Sequence, residues 1–257
     1  MFYQIKQYIK FIFKSTNQHG VHSPFIYNLI TTCFYDKKKY HDYNKSIDFR
    51  IRLKQTNDNI TVTDFGAGSH KLKSKSRQVS DIVKHVSISK KNARLLYRIN
   101  KHFASNSILE LGTSLGVATH VLALSNPDAI ITTIEGCPEI SKYAKHHFQQ
   151  LHLKNIDVIT GDFLEIIPKL KHPKFDLIFF DGNHQKEATL MYFEMLIDKA
   201  HNDSVFIFDD IYWSKGMTEA WEVIKQHPKV TVTVDTFYWG IVFFRKEQLK
   251  EHFVIRT

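Results

Sequence analysis

From residue 108 onward the chain alternates short runs of β-branched and aromatic residues with longer amphipathic stretches. This alternation is typical of a parallel sheet with helices on both faces, because a parallel strand returns through a crossover helix. It predicts seven strands, at residues 108–111, 130–134, 156–160, 177–180, 205–208, 230–234 and 241–244. Only the short segment 235–240 separates the last two, so they should form an antiparallel hairpin. We therefore expect an α/β fold, a Rossmann-like doubly wound sheet of six parallel strands and one antiparallel strand.

Helical periodicity fills the segments between these strands and much of the chain before them. It predicts helices at residues 1–13, 23–34, 79–86, 90–102, 117–124, 138–151, 163–170, 186–199 and 217–226. Ser23 and Ser89 stand at helix N-cap positions, and Pro24 occupies a first helical position. The polar stretch 36–59, rich in Lys, Asn and Asp, predicts a loop or a mobile lid.

Charge divides the chain into two parts. Residues 1–107 carry 20 Lys and Arg against 6 Asp and Glu, a net +14, whereas residues 108–257 carry 15 against 20, a net −5. The sequence therefore predicts a basic, mainly helical N-terminal region on the lid or substrate side, followed by a catalytic domain over residues 108–257. The basic region either keeps the protein soluble or concentrates nucleic acid, anionic lipid or a phosphorylated substrate.

Two cysteines, Cys33 and Cys137, indicate a reducing compartment without a disulfide framework. We see no secretory leader pattern and no apolar run near the roughly 20 residues that a membrane span needs. A cytoplasmic protein without a transmembrane segment is the expectation.

Two glycine-rich turns follow apolar runs, one at Gly66 and Gly68, the other at Gly112 and Gly116. A nucleotide-binding turn needs a helix that begins at once, since the first helical amides then point at the ligand. A polar, Lys-rich segment follows Gly68, whereas an apolar helical segment follows Gly116. Glu135 closes the next predicted strand, where a ribose-binding acid is expected. The second turn is therefore predicted to bind a ligand, and the first to be a structural loop.

The second turn reads Glu110-x-Gly112-x-x-x-Gly116, which resembles the class I S-adenosylmethionine-dependent methyltransferases. In that family the turn binds the methionine end of the cofactor, the acid after the second strand binds the ribose, and an acid after the third strand lies by the adenine. The resemblance implies a set of S-adenosylmethionine-binding residues: Glu110, Gly112, Thr113, Ser114, Gly116, Glu135, Asp162 and Phe163.

Within that family, residues 90–245 are most similar to small-molecule O-methyltransferases of the catechol and caffeoyl-coenzyme-A type. Those enzymes have an Asp after the fourth strand and an acidic or Asp-Asn pair after the fifth, which correspond here to Asp181, Asp209 and Asp210. The resemblance implies a bound divalent cation, with Mg²⁺ favoured because hard carboxylate oxygens suit it. The alternative is that each Asp only caps the following helix.

The catechol-type enzymes carry a Lys base three residues after the fourth-strand Asp, and this chain has His184 there. An imidazole can accept a proton from a metal-bound hydroxyl near neutral pH. Asp181 and His184 are therefore the expected catalytic residues, with Lys186 as the alternative base.

Five aromatic residues flank the same predicted sheet edge and either wall a substrate pocket or only pack: Tyr212, Trp213, Phe237, Tyr238 and Trp239. The segment 19–24 resembles the N-terminus of uncharacterised bacterial methyltransferases, and its two histidines either serve a substrate lid or precede a capped helix start.

The expected function is methyl transfer from S-adenosylmethionine to an oxygen of a small-molecule acceptor, neutral or anionic. One alternative is an RNA methyltransferase that docks through the basic region, although nucleic acid is not the favoured partner. The other is an S-adenosylmethionine-binding module without transferase activity.

Overall fold

The computed structural model describes residues 2–63 and 74–257. The predicted structural loop at Gly66 and Gly68 lies outside these residues. The chain divides into two compact units, which we call unit I (Met1–Tyr35 and Ile167–Thr257) and unit II (Asp36–Ile166). The expected boundary after residue 107 falls inside unit II and stays a prediction.

Ten strands are described: β1 Asn59–Thr61, β2 Ser76–Gln78, β3 Ser107–Leu111, β4 Ile130–Glu135, β5 Ile156–Thr160, β6 Leu177–Phe180, β7 Val205–Asp209, β8 Val232–Asp235, β9 Trp239–Phe243 and β10 Glu251–Val254. β1 and β2 form a small antiparallel sheet, and the other eight strands are described below within each unit. The predicted Rossmann-like α/β fold is confirmed, but the predicted number of seven strands is wrong. β10 was missed because it is four residues long and begins with the exposed Glu251 and His252.

In unit II three neighbouring strands are parallel, in the order β3-β4-β5. Leu111 pairs with Ile134, and Glu135 pairs with Thr160, so the carboxyl ends of these strands meet at one edge. The residues that follow the strands are thereby brought close together in space.

In unit I the strand order is β10-β8-β9-β7-β6. β6 and β7 are parallel, whereas β9 runs antiparallel to both β7 and β8, so the predicted hairpin is confirmed. Every residue of β6 is buried, as expected for a parallel strand that is covered on both faces. Phe180 pairs with Phe208, which brings the residues after β6 and β7 to one edge.

Ten α-helices are described: α1 Phe2–Lys14, α2 Pro24–Asn28, α3 Asp42–Gln55, α4 Val79–His85, α5 Lys90–Phe103, α6 Val117–Ser125, α7 Pro138–Gln150, α8 Phe163–Ile166, α9 Lys186–Leu196 and α10 Lys215–Gln226. The predicted segment 23–34 is α2 followed by a π-helical turn, and 3-10 turns continue α8 and α9. Ser23 and Ser89 accept hydrogen bonds from the backbone as N-caps. Among the described helices, none is long and apolar enough to cross a membrane.

The prediction of a loop over residues 36–59 is wrong, because α3 occupies most of it. Its helical pattern is weak, but Phe49 and Leu53 lie one turn apart and are buried in the core of unit II. The guanidinium of Arg50 donates to the backbone carbonyls of Ile88 and Val83. Tertiary burial of two large side chains therefore stabilises a helix that composition alone disfavours.

Candidate active site

The glycine-rich turn of unit II follows β3 and ends at the start of α6. Gly112 has φ 102° and Gly116 has φ 78°, in the left-handed region that favours glycine. The Gly112 amide donates to the carbonyl of Ile134 at 2.9 Å, which attaches the turn to β4. A Cβ at residue 116 would collide with the ring of Phe148. Backbone conformation and packing therefore both require glycine at residue 116.

Glu135, at the end of β4, links the turn to the start of α7 through its two carboxylate oxygens. Its Oε2 accepts from the Ser114 amide at 2.8 Å, and its Oε1 accepts from the Cys137 amide at 2.9 Å. Glu135 is half-buried, as a ribose-binding acid must be if it is to reach a ligand.

Glu110 lies fully buried beneath the turn. The hydroxyls of Thr119 and Thr133 donate to its Oε2 at 2.5 and 2.6 Å, and the Thr113 hydroxyl lies 2.7 Å from that of Thr133. Burial raises the pKa of Glu110 to about 7. Glu110 therefore braces the turn from inside, together with two threonines that the sequence analysis did not identify.

Asp162 and Phe163 follow β5 and begin α8. The Asp162 Oδ1 accepts from the Leu164 amide at 2.8 Å, so this acid caps α8. The neighbouring Gly161 amide donates to the carbonyl of Glu135 at 3.0 Å, which keeps this segment beside the end of β4. The expected place of Asp162 and Phe163 by the adenine stays a prediction.

In unit I, three of the expected residues form a cluster at the ends of β6 and β7. Asp181, His184 and Asp209 each offer one ligand atom, and these atoms lie within 4.8 Å of one another. The His184 Nε2 is 3.6 Å from the Asp181 Oδ1, and all three side chains are half-buried. Asp210 was expected to bind the same cation as Asp181 and Asp209. In the described part of the chain, however, the cluster of possible ligand atoms does not include Asp210.

The two loops that carry the cluster have strained backbones. Asn183, His184 and Asp210 have φ values of 68°, 38° and 55°, a region that costs a non-glycine residue about 1–3 kcal/mol. Asn183 donates to the Tyr192 hydroxyl at 2.9 Å, which fixes the first loop against α9. Strain of this kind concentrates at functional sites, where the fold enforces side-chain positions.

The carboxylates of this cluster are poorly solvated. Burial raises the pKa of Asp209 to about 8, with a further increase from the charge of Asp210. Burial also raises the pKa of Asp210 and lowers the pKa of His184. Since each shift disfavours the charged form, an added positive charge would stabilise the ionised acids.

Trp239 contacts the cluster directly. Its Nε1 donates to the Asp209 Oδ1 at 2.6 Å, and its side chain is fully buried in β9. Of the two roles left open for this aromatic residue, the structure favours packing over forming a pocket wall. The sequence pattern did not reveal the hydrogen bond, because the two residues are distant in the chain and meet only through the pairing of β7 with β9.

Lys186, the alternative base, is engaged elsewhere. Its Nζ donates to the Glu219 Oε2 at 2.6 Å, and this hydrogen bond raises the pKa of Lys186. A protonated, paired lysine is a poor proton acceptor at neutral pH. His184, whose pKa is lowered, is the better candidate base.

A cavity of about 300 Å³ lies within unit I beside Asp210. Its walls are aromatic and amphipathic, and they come from α1 and from the loops after β7 and β8: Gln4, Ile5, Tyr8, Asp210, Tyr212, Trp213, Phe237 and Tyr238. The rings of Tyr212 and Phe237 stack at 5.2 Å, and the Tyr212 hydroxyl donates to the Asp235 Oδ2 at 2.5 Å. Four of the five aromatic residues that the sequence analysis selected thus line one cavity.

The segment 19–24 is a capped helix start. The Ser23 Oγ accepts from the Ile26 amide, and Pro24 is the first residue of α2. The Asn17 side chain caps the 3-10 turn that contains His19. A capped helix start accounts for Ser23 as the N-cap and for Pro24 as the first helical residue. A lid role for the two histidines stays a prediction.

Comparison with known proteins finds similarity over part of the chain. Residues 109–211 match the model of a family described as a methyltransferase domain. Catechol O-methyltransferase of Mycobacterium tuberculosis is 25% identical over 134 residues, which are 51% of this chain and 60% of that protein. The chain thus aligns with less than two thirds of the length of this curated relative.

Solved structures show the same fold. An O-methyltransferase from Bacillus cereus in complex with S-adenosylhomocysteine has a TM-score of 0.57 at 17% identity, covering 82% of this chain and 94% of its own. An O-methyltransferase from Streptomyces achromogenes involved in tomaymycin synthesis, in complex with S-adenosylmethionine, has a TM-score of 0.57 at 17% identity, covering 86% and 95%. At these identities the likeness establishes the fold alone.

Proposed function

We propose that this class I S-adenosylmethionine-dependent methyltransferase, which resembles the catechol O-methyltransferases, transfers the methyl group to a hydroxyl oxygen of a small-molecule acceptor. The observation that supports this most strongly is the cluster of Asp181, His184 and Asp209. A protein that only bound the cofactor would have no use for buried acids held by strained loops. The proposal includes a divalent cation at these acids.

Unit II would bind the methyl donor. The backbone of the turn from Gly112 to Gly116 would receive the methionine end, and the half-buried carboxylate of Glu135 at the end of β4 would accept from the ribose hydroxyls. Asp162 and Phe163 would border the adenine. Methyl transfer needs donor and acceptor held in line, so positioning of the two substrates would supply much of the rate acceleration.

Unit I would bind the cation and the acceptor. Oxygens on one Mg²⁺ lie at most about 4.2 Å apart, so ligand atoms within 4.8 Å would need only a small adjustment. Two carboxylates with no thiolate beside them suit Mg²⁺ or Mn²⁺, and the imidazole of His184 would stay off the cation as a base. A divalent cation at Asp181 and Asp209 would lower the pKa of an acceptor hydroxyl.

His184 would then accept the acceptor proton, since burial keeps its imidazole neutral near pH 7. The aromatic cavity beside Asp210 has walls suited to a flat ring. Asp210 itself borders this cavity, which makes it a contact for the acceptor and not a cation ligand in our proposal. An acceptor of the catechol kind fits these features.

Calorimetry tests this division of roles. S-adenosylhomocysteine should bind the full chain equally well with Mg²⁺ and with EDTA. Catechol should bind the cofactor-loaded protein only when Mg²⁺ is present, and Asp181→Asn should remove that binding. The exposed Asp198 of the same unit provides the control variant, Asp198→Asn, which should behave as wild type. Catechol binding that is unchanged by EDTA and by Asp181→Asn would contradict the role of the cation.

A further inference from the structure

Helix α1 exposes a large apolar face. Six of the fifteen large hydrophobic side chains that are exposed among the described residues lie on this helix: Phe2, Ile5, Tyr8, Ile9, Ile12 and Phe13. Phe2 and Phe13 are 88% and 86% exposed. At about 100° per residue, the six lie within an arc of roughly 140°. Isolated exposed apolar residues are ordinary, but a contiguous face of this kind marks an interaction surface. We call these six residues the apolar face of α1.

The apolar face is fixed in place by the opposite side of the helix. There Phe11 is buried with its ring 5.6 Å from that of Phe237, and the Tyr3 hydroxyl donates to the Thr218 Oγ1 at 2.8 Å. Tyr8, at one edge of the apolar face, also packs with its ring 4.9 Å from that of Phe237, and the rest of the face stays exposed.

Positive charge lies beside the apolar face. Lys6 and Lys10 follow directly at one edge of the arc, and Lys14 stands at the last helical position. The first acidic residue of the chain is Asp36, so the first 35 residues carry positive charge only. An apolar stripe flanked by lysines is the pattern of a helix that lies in the interface of an anionic membrane.

We propose that α1 docks this protein on an anionic lipid surface, with its apolar face among the acyl chains and its lysines at the phosphates. A second copy of the chain fits less well, because a symmetric interface brings the same lysines to a segment that has no acidic partner for them. Ile5 and Tyr8 belong both to the apolar face and to the wall of the cavity beside Asp210. Docking would therefore bring the proposed acceptor cavity to the lipid surface.

Vesicle co-sedimentation tests the proposal on the full chain, without any acceptor. Vesicles of phosphatidylcholine and phosphatidylglycerol, at roughly a 3:1 ratio, should bind the protein, and each lysine should contribute about fivefold in affinity. Pure phosphatidylcholine vesicles should bind far less, and Lys6→Glu with Lys10→Glu should reduce binding to the anionic vesicles. High salt should weaken that binding.

The apolar contribution has a matched control. Ile9 and Val223 are 52% and 51% exposed, and neither lines the cavity. Ile9→Glu combined with Phe13→Glu should weaken binding to the anionic vesicles by roughly tenfold or more, because two apolar side chains no longer enter the lipid. Val223→Glu combined with Met191→Glu makes the same two-charge change at exposed apolar residues of α10 and α9, and should cause at most a small loss. Thermal unfolding of each variant checks that it is folded.

Three results would overturn the proposal: no sedimentation with the anionic vesicles, equal losses in the α1 and Val223 variants, or light scattering that shows a dimer abolished by Ile9→Glu. The last would assign the apolar face to a second copy. Vesicle binding is measured without cofactor or turnover, so a failure to bind vesicles leaves the proposed methyltransferase activity standing. Likewise, a failure of methyl transfer leaves the proposed lipid docking standing.

Discussion

Replacing Trp239 by Phe should selectively weaken the proposed cation site. The substitution removes the Nε1 donor that lies 2.6 Å from the Asp209 Oδ1, while a flat apolar ring remains in β9. Without this donor, Asp209 is free to turn away from Asp181 and holds its negative charge less well.

The size of the effect follows from the type of hydrogen bond. A hydrogen bond to a charged group contributes about 1.5–3 kcal/mol, and a lost partner of a metal ligand typically costs 10- to 100-fold in affinity. We therefore expect the dissociation constant for Mn²⁺ to rise by about 10- to 100-fold. Binding of S-adenosylhomocysteine should stay unchanged, because its proposed residues belong to unit II.

Trp221 provides the matched control. It is as buried as Trp239 and belongs to the same unit, but its Nε1 has no hydrogen-bond partner among the described residues. Trp221→Phe should therefore cost packing energy without changing Mn²⁺ affinity. Titration of Mn²⁺, followed by the electron paramagnetic resonance signal of the free ion, measures both variants without an acceptor. Equal Mn²⁺ affinities for the two variants would refute the reasoning, as would a wild type that binds no Mn²⁺.

Three further predictions concern cofactor binding, stability and the base. Glu135→Ala should weaken S-adenosylhomocysteine binding in calorimetry by about 1–3 kcal/mol, whereas Glu165→Ala, on the exposed side of α8, should not. Burial lowers the pKa of His120 to about 4 in the folded protein, whereas its pKa in the unfolded chain is near 6.5. As the pH falls below 6.5, the unfolded chain therefore binds the proton before the folded protein does. The free energy of unfolding should therefore fall by about 3 kcal/mol between pH 6.5 and pH 4, and urea titrations of His120→Leu should lack this component. His184→Ala should reduce turnover while cofactor binding is kept, and Lys186→Ala should reduce turnover little; the reverse order would assign the base to Lys186.

The parts of the fold that follow a strong local pattern could be predicted from sequence. The ends of β3 to β7 lie within a residue or so of the predicted positions, because buried parallel strands are short, continuous apolar runs. The acids after these strands were found for the same reason. Asp181 and Asp209 meet because β6 and β7 pair in register, which strand adjacency already suggested.

The parts that depend on distant contacts could not be predicted. α3 is helical because Phe49 and Leu53 are buried in a hydrophobic core, and no local sequence pattern indicates that burial. The cavity beside Asp210 includes Tyr8, whose ring lies 4.9 Å from that of Phe237, a residue near the other end of the sequence. The sequence alone identifies these aromatic residues, but it does not show that α1 packs against the loop after β8.

Transfer of a labelled methyl group tests the central claim most directly. The full chain would be incubated with S-adenosylmethionine labelled in its methyl group and with catechol, in Mg²⁺ or in excess EDTA. The account predicts label on a catechol oxygen in Mg²⁺ and none in EDTA, with S-adenosylhomocysteine binding intact in both. Undiminished transfer in EDTA would contradict the role of the acids of unit I. Failure to bind either form of the cofactor would contradict the methyltransferase proposal itself.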